Sequence, residues 1–314
     1  MPMPRIPTEP ILPRPPIRMV AAGLALLAVA ACSADPDPGT TTSGAGTDTT
    51  VETMASTTTT SAPTTTTSAT AAAFPDIQDG VVATWVPEVL DRRPHDPDAF
   101  TQGFLVEGDV VFESTGLYGE STLREVDPES GEVLRSVEID AELFAEGLEL
   151  VDDRLLQLTW QEETLLVWDA ATFEEVERIA YEGEGWGLCL GDDDRLVMSD
   201  GSANLTFRDP DTFEPLEQVE VTRDGAPVPL LNELECVDGL VFANVWQTTE
   251  MVVIDPATGA VGAVIDASLL ETDLPPDGSH DVLNGIAYDP DTDTFLVTGK
   301  LWPTVFEVRF VAAG

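Results

Sequence analysis

Of the 58 acids of this chain, one stands at the mouth of a tryptophan-flanked repeat. Glu146 precedes Gly147 at the head of an alternating stretch, Leu148 and Leu150, that turns at Asp152-Asp153 and returns through Leu155 to Leu158 towards Trp160. That is the pattern of a β-hairpin with an acid at its mouth. A carboxylate desolvated among tryptophans is pushed up in pKa and becomes able to accept and return a proton, whereas a nearby cation pulls it down. The candidate cation is Lys300, the only lysine in the chain. Every other cationic side chain is arginine, and a compact ammonium is not interchangeable with a planar guanidinium. His95 and His280 are the only histidines, and neither lies in an H-x-x-x-H or C-x-x-C spacing, so no catalytic zinc is expected. Asp289, Asp291 and Asp293 lack the glycine and the bidentate glutamate of a calcium loop.

The elements that must position these groups recur. Units beginning Gln102-Gly103, Glu146-Gly147, Trp186-Gly187, Glu233-Leu234 and Asn284-Gly285 are spaced 44, 40, 47 and 51 residues apart. Such periods suit propeller blades. Each unit continues through a turn into a second strand (Val110 to Glu113, Leu155 to Leu158, Arg195 to Ser199, Leu240 to Asn244, Thr294 to Thr298). A third strand follows and, in four units, an Asp-led turn (Asp127, Asp169, Asp209, Asp255) and a fourth strand. The fifth unit stops after its third strand, Val305 to Phe310, and Val81 to Trp85 upstream of the first unit can supply the missing one. The fold expected is all-β, a five-bladed β-propeller closed by an N-terminal strand. Cys189 and Cys236 occupy the same step of two successive units with apolar neighbours. That is the ordinary setting of buried thiols, with a disulfide the alternative in an oxidising compartment.

The rest of the chain is of another kind. Arg14 and Arg18 precede an apolar run, Met19 to Ala31, that ends in small residues before Cys32. This resembles a bacterial lipoprotein signal, and the run is too short to span a hydrocarbon core of about 30 Å. Residues 32–75, rich in Thr and Ser, cannot bury a core and are expected to form a disordered linker. The organisation expected is therefore a signal over 1–31, a linker over 32–75 and a catalytic propeller over 76–314, lipid-anchored through Cys32 to the outer, extracytoplasmic face of the bacterial cell membrane. Asp and Glu total 58 against 14 Lys and Arg. Without residues 1–31, which hold three Arg and one Glu, 57 face 11. A field of that sign repels nucleic acid, which is excluded as a partner.

In a propeller the first strand of each blade lines the central channel, so residues ahead of the repeat glycines gather at one rim: Gln102, Glu146, Trp186, Asn232-Glu233 and Asn284. The ends of the second strands add Glu113, Trp160, Asp200, Trp246 and Lys300. Carboxylates, amides, tryptophans and the sole lysine converging at one mouth make a small-molecule pocket.

At this point whole motifs carry a resemblance. Phe100-Thr101-Gln102-Gly103, Phe144-Ala145-Glu146-Gly147-Leu148, Gly185-Trp186-Gly187-Leu188, Leu231-Asn232-Glu233-Leu234-Glu235, Asn244-Val245-Trp246, Leu283-Asn284-Gly285 and Thr298-Gly299-Lys300-Leu301-Trp302 follow one another in order. From about Phe100 to Phe310 the chain resembles the plant and bacterial type of glutaminyl-peptide cyclotransferase. The resemblance implies a five-bladed propeller needing no zinc or other cofactor. It implies a peptide or protein substrate with N-terminal glutamine and the release of ammonia as that glutamine closes to pyroglutamate. It places the acid/base role on Glu146 and substrate contacts on Asn232 and Lys300, and the chemistry of that reaction makes these two its catalytic companions, able with Gln102 to polarise the amide carbonyl and hold the leaving group. Phe100, Gln102, Phe144, Trp160, Trp186 and Trp246 then fall on substrate contacts, with Glu113 added from the rim. Ala145 stands where the family usually has glycine. Two other classes are open on sequence: a non-catalytic propeller binding module for peptides at the cell surface, and a metal-dependent propeller hydrolase with clustered acidic ligands.

Overall fold

A polar turn led by aspartate recurs four times along the chain, and each instance joins the last two strands of a four-stranded antiparallel meander. Asp127 Oδ1 accepts from the backbone of Glu129 and Ser130, Asp209 Oδ1 makes the same pair of contacts with Asp211 and Thr212, Asp169 Oδ1 accepts from Thr172 N–H and Asp255 Oδ1 from Ala257 N–H. The computed structural model describes residues 73–75 and 80–314, so the predicted signal, Cys32 and nearly all of the linker lie outside the described residues. Everything described belongs to one unit of the chain, Thr66–Gly314.

The fold is all-β. A long strand β1 (Ala83–Pro94) precedes the first meander, β2 (Thr101–Glu107), β3 (Val110–Thr115), β4 (Thr122–Val126) and β5 (Val133–Glu138). The second is β6 (Ala145–Val151), β7 (Arg154–Thr159), β8 (Thr164–Asp169) and β9 (Glu175–Ala180). The third is β10 (Leu188–Leu190), β11 (Leu196–Ser199), β12 (Asn204–Arg208) and β13 (Pro215–Glu220). A small hairpin, β14 (Thr222–Arg223) and β15 (Ala226–Pro227), leads into β16 (Leu231–Val237), β17 (Leu240–Val245), β18 (Glu250–Asp255) and β19 (Ala260–Asp266). A short helix α1 (Ser268–Glu271) precedes the last three strands, β20 (Leu283–Asp289), β21 (Thr294–Gly299) and β22 (Thr304–Ala312).

The last three strands gain their fourth from the front of the chain. β1 pairs antiparallel with β22 from Trp85 opposite Ala312 to Pro94 opposite Thr304, and Ala83 to Trp85 pair in parallel with β19. This double pairing joins the fourth and fifth groups of strands into one sheet. The closing strand is longer than Val81 to Trp85. It starts at Ala83 and continues through Asp91-Arg92-Arg93 to Pro94. Its second half borders a neighbour on one side only, where prolines and charged side chains are tolerated, so the alternation that marks a buried strand is missing. Ala73 and Phe74 belong to the packed region although composition places them in the linker. The Ala73 carbonyl accepts from Phe310 N–H at 2.7 Å, and the Phe74 ring packs against Trp85, Phe242 and Phe295.

The apolar core is divided into clusters between successive meanders. One joins Phe112 and Leu123 to Leu148, Leu155 and Trp168, another joins Leu158 and Leu165 to Leu196 and Met198, and the next joins Val197 and Phe207 to Leu234 and Val252. Phe242 and Ile265 then pack on Phe295 and Phe306, and a last cluster brings Leu296 and Val305 back to Phe104 and Val111 of the first meander. Successive contacts therefore return to their starting point. Cys189 of β10 and Cys236 of β16 are joined by a disulfide, the alternative to two buried thiols.

Candidate active site

Four of the five first strands carry an irregularity at the same step. Pairing with the second strand skips between Thr101 and Gly103, between Ala145 and Leu148, between Leu231 and Leu234, and between Leu283 and Ile286. Bulges of this kind re-aim side chains. The residues inside them are Gln102, Glu146, Asn232 and Asn284, and each is at least nine-tenths buried. The register makes Asn232 the equivalent of Glu146, so Glu233 occupies the place held elsewhere by glycine, one step from the alignment read in the sequence. The glycine step is crowded: a Cβ on Gly147 would lie 2.7 Å from the carbonyl oxygen of Trp186, just ahead of β10.

A second repeated feature completes the site. The residue after the second strand donates its N–H to the residue just ahead of the first strand: Gly116 to Phe100 at 2.8 Å, Trp160 to Phe144 at 2.9 Å, Trp246 to Leu230 at 2.8 Å and Lys300 to Val282 at 2.9 Å. Trp160, Trp246 and Lys300 are thus structural equivalents, and their counterpart in the first meander is Gly116. A side chain there would overlap the Phe144 ring.

These positions enclose a cavity of about 390 Å³ lined by Phe100, Gln102, Phe144, Glu146, Trp160, Trp186, Asn232, Trp246 and Lys300, together with Leu117, Gln247, Asp281 and Val282. The last four were not singled out in the sequence. Val282 carries a signal after the fact, since it stands where Phe100 and Phe144 stand. Leu117 (φ 90°) and Gln247 (φ 64°) hold left-handed backbone, and such strain concentrates at ligand sites. Glu113, placed at the rim from sequence, does not line the cavity. It is buried beneath it, where it accepts from His95 Nε2 at 3.0 Å and from the Thr101 hydroxyl at 2.7 Å. His95 Nδ1 lies 2.7 Å from the Trp302 carbonyl, so both ring nitrogens face oxygen acceptors; burial lowers the pKa of the ring, but Glu113 and this carbonyl outweigh it and raise it on balance. Asn284 is also one layer down and donates to the Thr101 carbonyl at 2.9 Å. Asp200 lines a separate cavity between the second and third meanders.

Inside the site, Gln102 Nε2 donates to Glu146 Oε1 at 3.1 Å, and Gln102 Oε1 faces Asn284 Nδ2 at 3.4 Å. The chain of amides fixes which end of Gln102 meets the carboxylate. Burial pushes the Glu146 carboxyl well above the usual carboxylate range; the Lys300 cation opposes that, and Glu184 and Glu162 add to it. The sequence left this balance open, and burial decides it. Burial lowers the Lys300 ammonium, against the pull of Glu146 and Asp281. The ammonium sits 4.9 Å from the centroid of the Phe100 ring, a favourable cation–π placement. Asn232 Oδ1 is buried with no hydrogen-bond partner among the described residues, an acceptor awaiting a donor. Phe144 packs edge-on to Trp160 with centroids 5.6 Å apart, and Trp186 edge-on to Trp246 at 5.4 Å. Ala145 fits without exposure, its N–H donating to Ser121 Oγ at 3.1 Å.

Residues 55–310, which include β1 to β21 and β22 as far as Phe310, match the glutamine cyclotransferase family. The chain belongs to this family. It is 41% identical over 230 residues to a glutaminyl-peptide cyclotransferase of Arabidopsis thaliana, covering 72% of each chain. It is also similar to the crystal structure of Myxococcus xanthus glutaminyl cyclase, with 40% identity and a TM-score of 0.70 over 74% of this chain and 100% of the other. Membership agrees with the ordered motifs, and these motifs are the ones that fold into the bulges and strand ends lining the cavity.

Proposed function

We propose that this protein is a glutaminyl-peptide cyclotransferase that closes the N-terminal glutamine of peptides to pyroglutamate and releases ammonia. The observation that carries the proposal is Glu146: a buried carboxyl with a raised pKa, held by Gln102 in an aromatic cavity that it shares with Lys300. The α-amine of the substrate attacks the γ-carboxamide carbon, a C–N bond forms and the bond to the departing NH2 breaks. Glu146 takes the proton from the attacking nitrogen and returns it to the leaving nitrogen, which departs as ammonia. A carboxyl of raised pKa suits both transfers. Lys300 supplies positive charge where the carbonyl oxygen becomes an oxyanion, and the free Asn232 Oδ1 accepts from the departing NH2. The aromatic walls, Phe100, Phe144, Trp160, Trp186 and Trp246, fold the glutamine side chain towards its own amine, an orientation effect.

We also infer that the all-β unit is a five-bladed propeller. Four complete meanders, a fifth group completed by β1 and core clusters that close on themselves support it. We place its catalytic domain over 76–314 behind a signal over 1–31 and a linker over 32–75. We further place it outside the cytoplasm, tethered to the membrane by lipid on Cys32. The small residues ahead of Cys32 support the tether, and the Cys189–Cys236 disulfide suits an oxidising compartment. Among the described residues no helix is long and apolar enough to cross a membrane.

The test is to incubate the protein with a Gln-initiated dipeptide and follow ammonia, with and without a chelator. Release in both conditions is expected. Peptide recovered unchanged, with binding intact, would instead make this a binding module, and release abolished by chelator would point to a metal-dependent reaction.

A further inference from the structure

Two aromatic pairs form the wall of the cavity, Phe144 with Trp160 and Trp186 with Trp246, and they belong to different strand groups. What joins them is Glu184, a residue that does not itself line the cavity. Trp160 Nε1 donates to Glu184 Oε2 at 2.8 Å, and Trp186 Nε1 donates to the same oxygen at 3.0 Å. The other oxygen accepts from Gln161 Nε2 at 2.9 Å. The loop that carries Glu184 is tied to the same place by its backbone, since Gly185 N–H donates to the Trp160 carbonyl at 3.0 Å. One carboxylate thus takes both indole N–H groups out of the cavity and turns the apolar parts of both rings into it. Gln and Asn side chains lie on the remaining sides of the cavity, so the polar ends of two tryptophans would otherwise compete for the substrate amide.

We propose that Glu184 is a positioning residue that fixes Trp160 and Trp186 as one wall and so sets the affinity of the site for N-terminal glutamine; this rests on the cyclotransferase function proposed above. Its charge has a second consequence. Glu146 is faced by Lys300, by Glu162 and Glu184, and by the phenols of Tyr118 and Tyr181. Glu184 is one of the like charges that oppose ionisation of the general base.

Two substitutions separate the roles. Glu184→Ala leaves both indoles without an acceptor, and KM for a Gln-initiated peptide is expected to rise about tenfold with kcat close to the parent value, the scale of a hydrogen bond to a charged group. Glu184→Gln keeps an oxygen that can accept from both rings, so it restores KM. It also removes a negative charge beside Glu146, so the acid limb of the kcat/KM profile moves to lower pH. Intrinsic tryptophan emission reads the wall without substrate: it changes in Glu184→Ala and returns in Glu184→Gln. The proposal is overturned if Glu184→Ala, folded by circular dichroism, keeps both parental KM and parental emission, or if Glu184→Gln fails to restore either. An inactive parent protein whose emission follows the expected pattern would refute the cyclotransferase function while leaving the positioning role of Glu184 standing.

Discussion

At the scale of single residues, a general base and a cation share one desolvated cavity, and each sets the charge of the other. Because Glu146 must be ionised to accept the amine proton and its carboxyl is held well above the usual 4.5, activity is expected to fall as pH drops through a limb lying above the ordinary carboxylate range. Lys300 pulls that limb down. Lys300→Met should therefore move it to higher pH and, by removing the charge that meets the oxyanion, lower kcat by about 10²–10³-fold. Lys300→Arg keeps the charge but replaces a compact ammonium with a planar fork beside Phe100. The acid limb is expected to stay near that of the parent while kcat falls. Parental rates in Lys300→Arg would show that the size of the cation does not matter. Most of these residues were legible in the sequence, because rare types, the only lysine and the tryptophans, fall at repeated steps. Glu113 was misplaced for a countable reason. The second strand of the first meander runs to Thr115, so the position matching Trp160 and Lys300 is Gly116, where there is no side chain to notice. Glu184 and Asp281 were missed because exposed-looking acids in loops carry no pattern of their own.

The elements explain why those few side chains converge. A bulge at one step of the first strand and one hydrogen bond beyond the second strand are used four times, with different side chains each time. The strands themselves were readable from alternation and from aspartate turns. The closing strand was only half readable, because past Trp85 it is an edge strand whose charges and prolines are permitted by solvent. Deletion of residues up to 72 should leave the melting temperature unchanged. Deletion up to Val82 should lower it by removing Ala73 and Phe74, and deletion through Trp85 should lower it further, since all three pairs to β19 and a fully buried indole go with it. Equal melting of the three chains would contradict the role of β1. The disulfide acts between first strands, and Cys189→Ser with Cys236→Ser should cost about 2–4 kcal/mol of stability, read by denaturant unfolding. No loss relative to the bridged parent would show that the loop it closes is already ordered when unfolded.

Across the whole molecule, acids outnumber bases 58 to 14, and on the first strands Glu233 is buried while Glu149 and Glu235 are half-buried. Burial, opposed by the N–H groups of Leu150 and Leu190, pushes the Glu149 carboxyl up to about 7, and burial holds Glu233 and Glu235 well above the usual range. A carboxyl whose pKa is raised on folding stabilises the fold below its unfolded pKa and loses that contribution as pH climbs through its folded value. His95, raised on balance by Glu113 and the Trp302 carbonyl against the effect of burial, loses its contribution in the same direction. Glu113 works the other way, because its lowered pKa withdraws stability only towards acid pH. The melting temperature is accordingly expected to fall between about pH 5 and pH 8, with Glu149→Gln flattening the fall; a melting temperature that rises over that interval would contradict the assignment. Activity is a property of the same whole, since five groups of strands each contribute to one cavity. Its most direct test compares the parent protein with Glu146→Gln on one Gln-initiated peptide, measuring ammonia release and peptide binding together. The expected result is release by the parent and, in a variant that folds and binds alike, a kcat lower by about 10²–10⁴-fold. Ammonia released by Glu146→Gln at the parental rate would contradict the assignment of the general base.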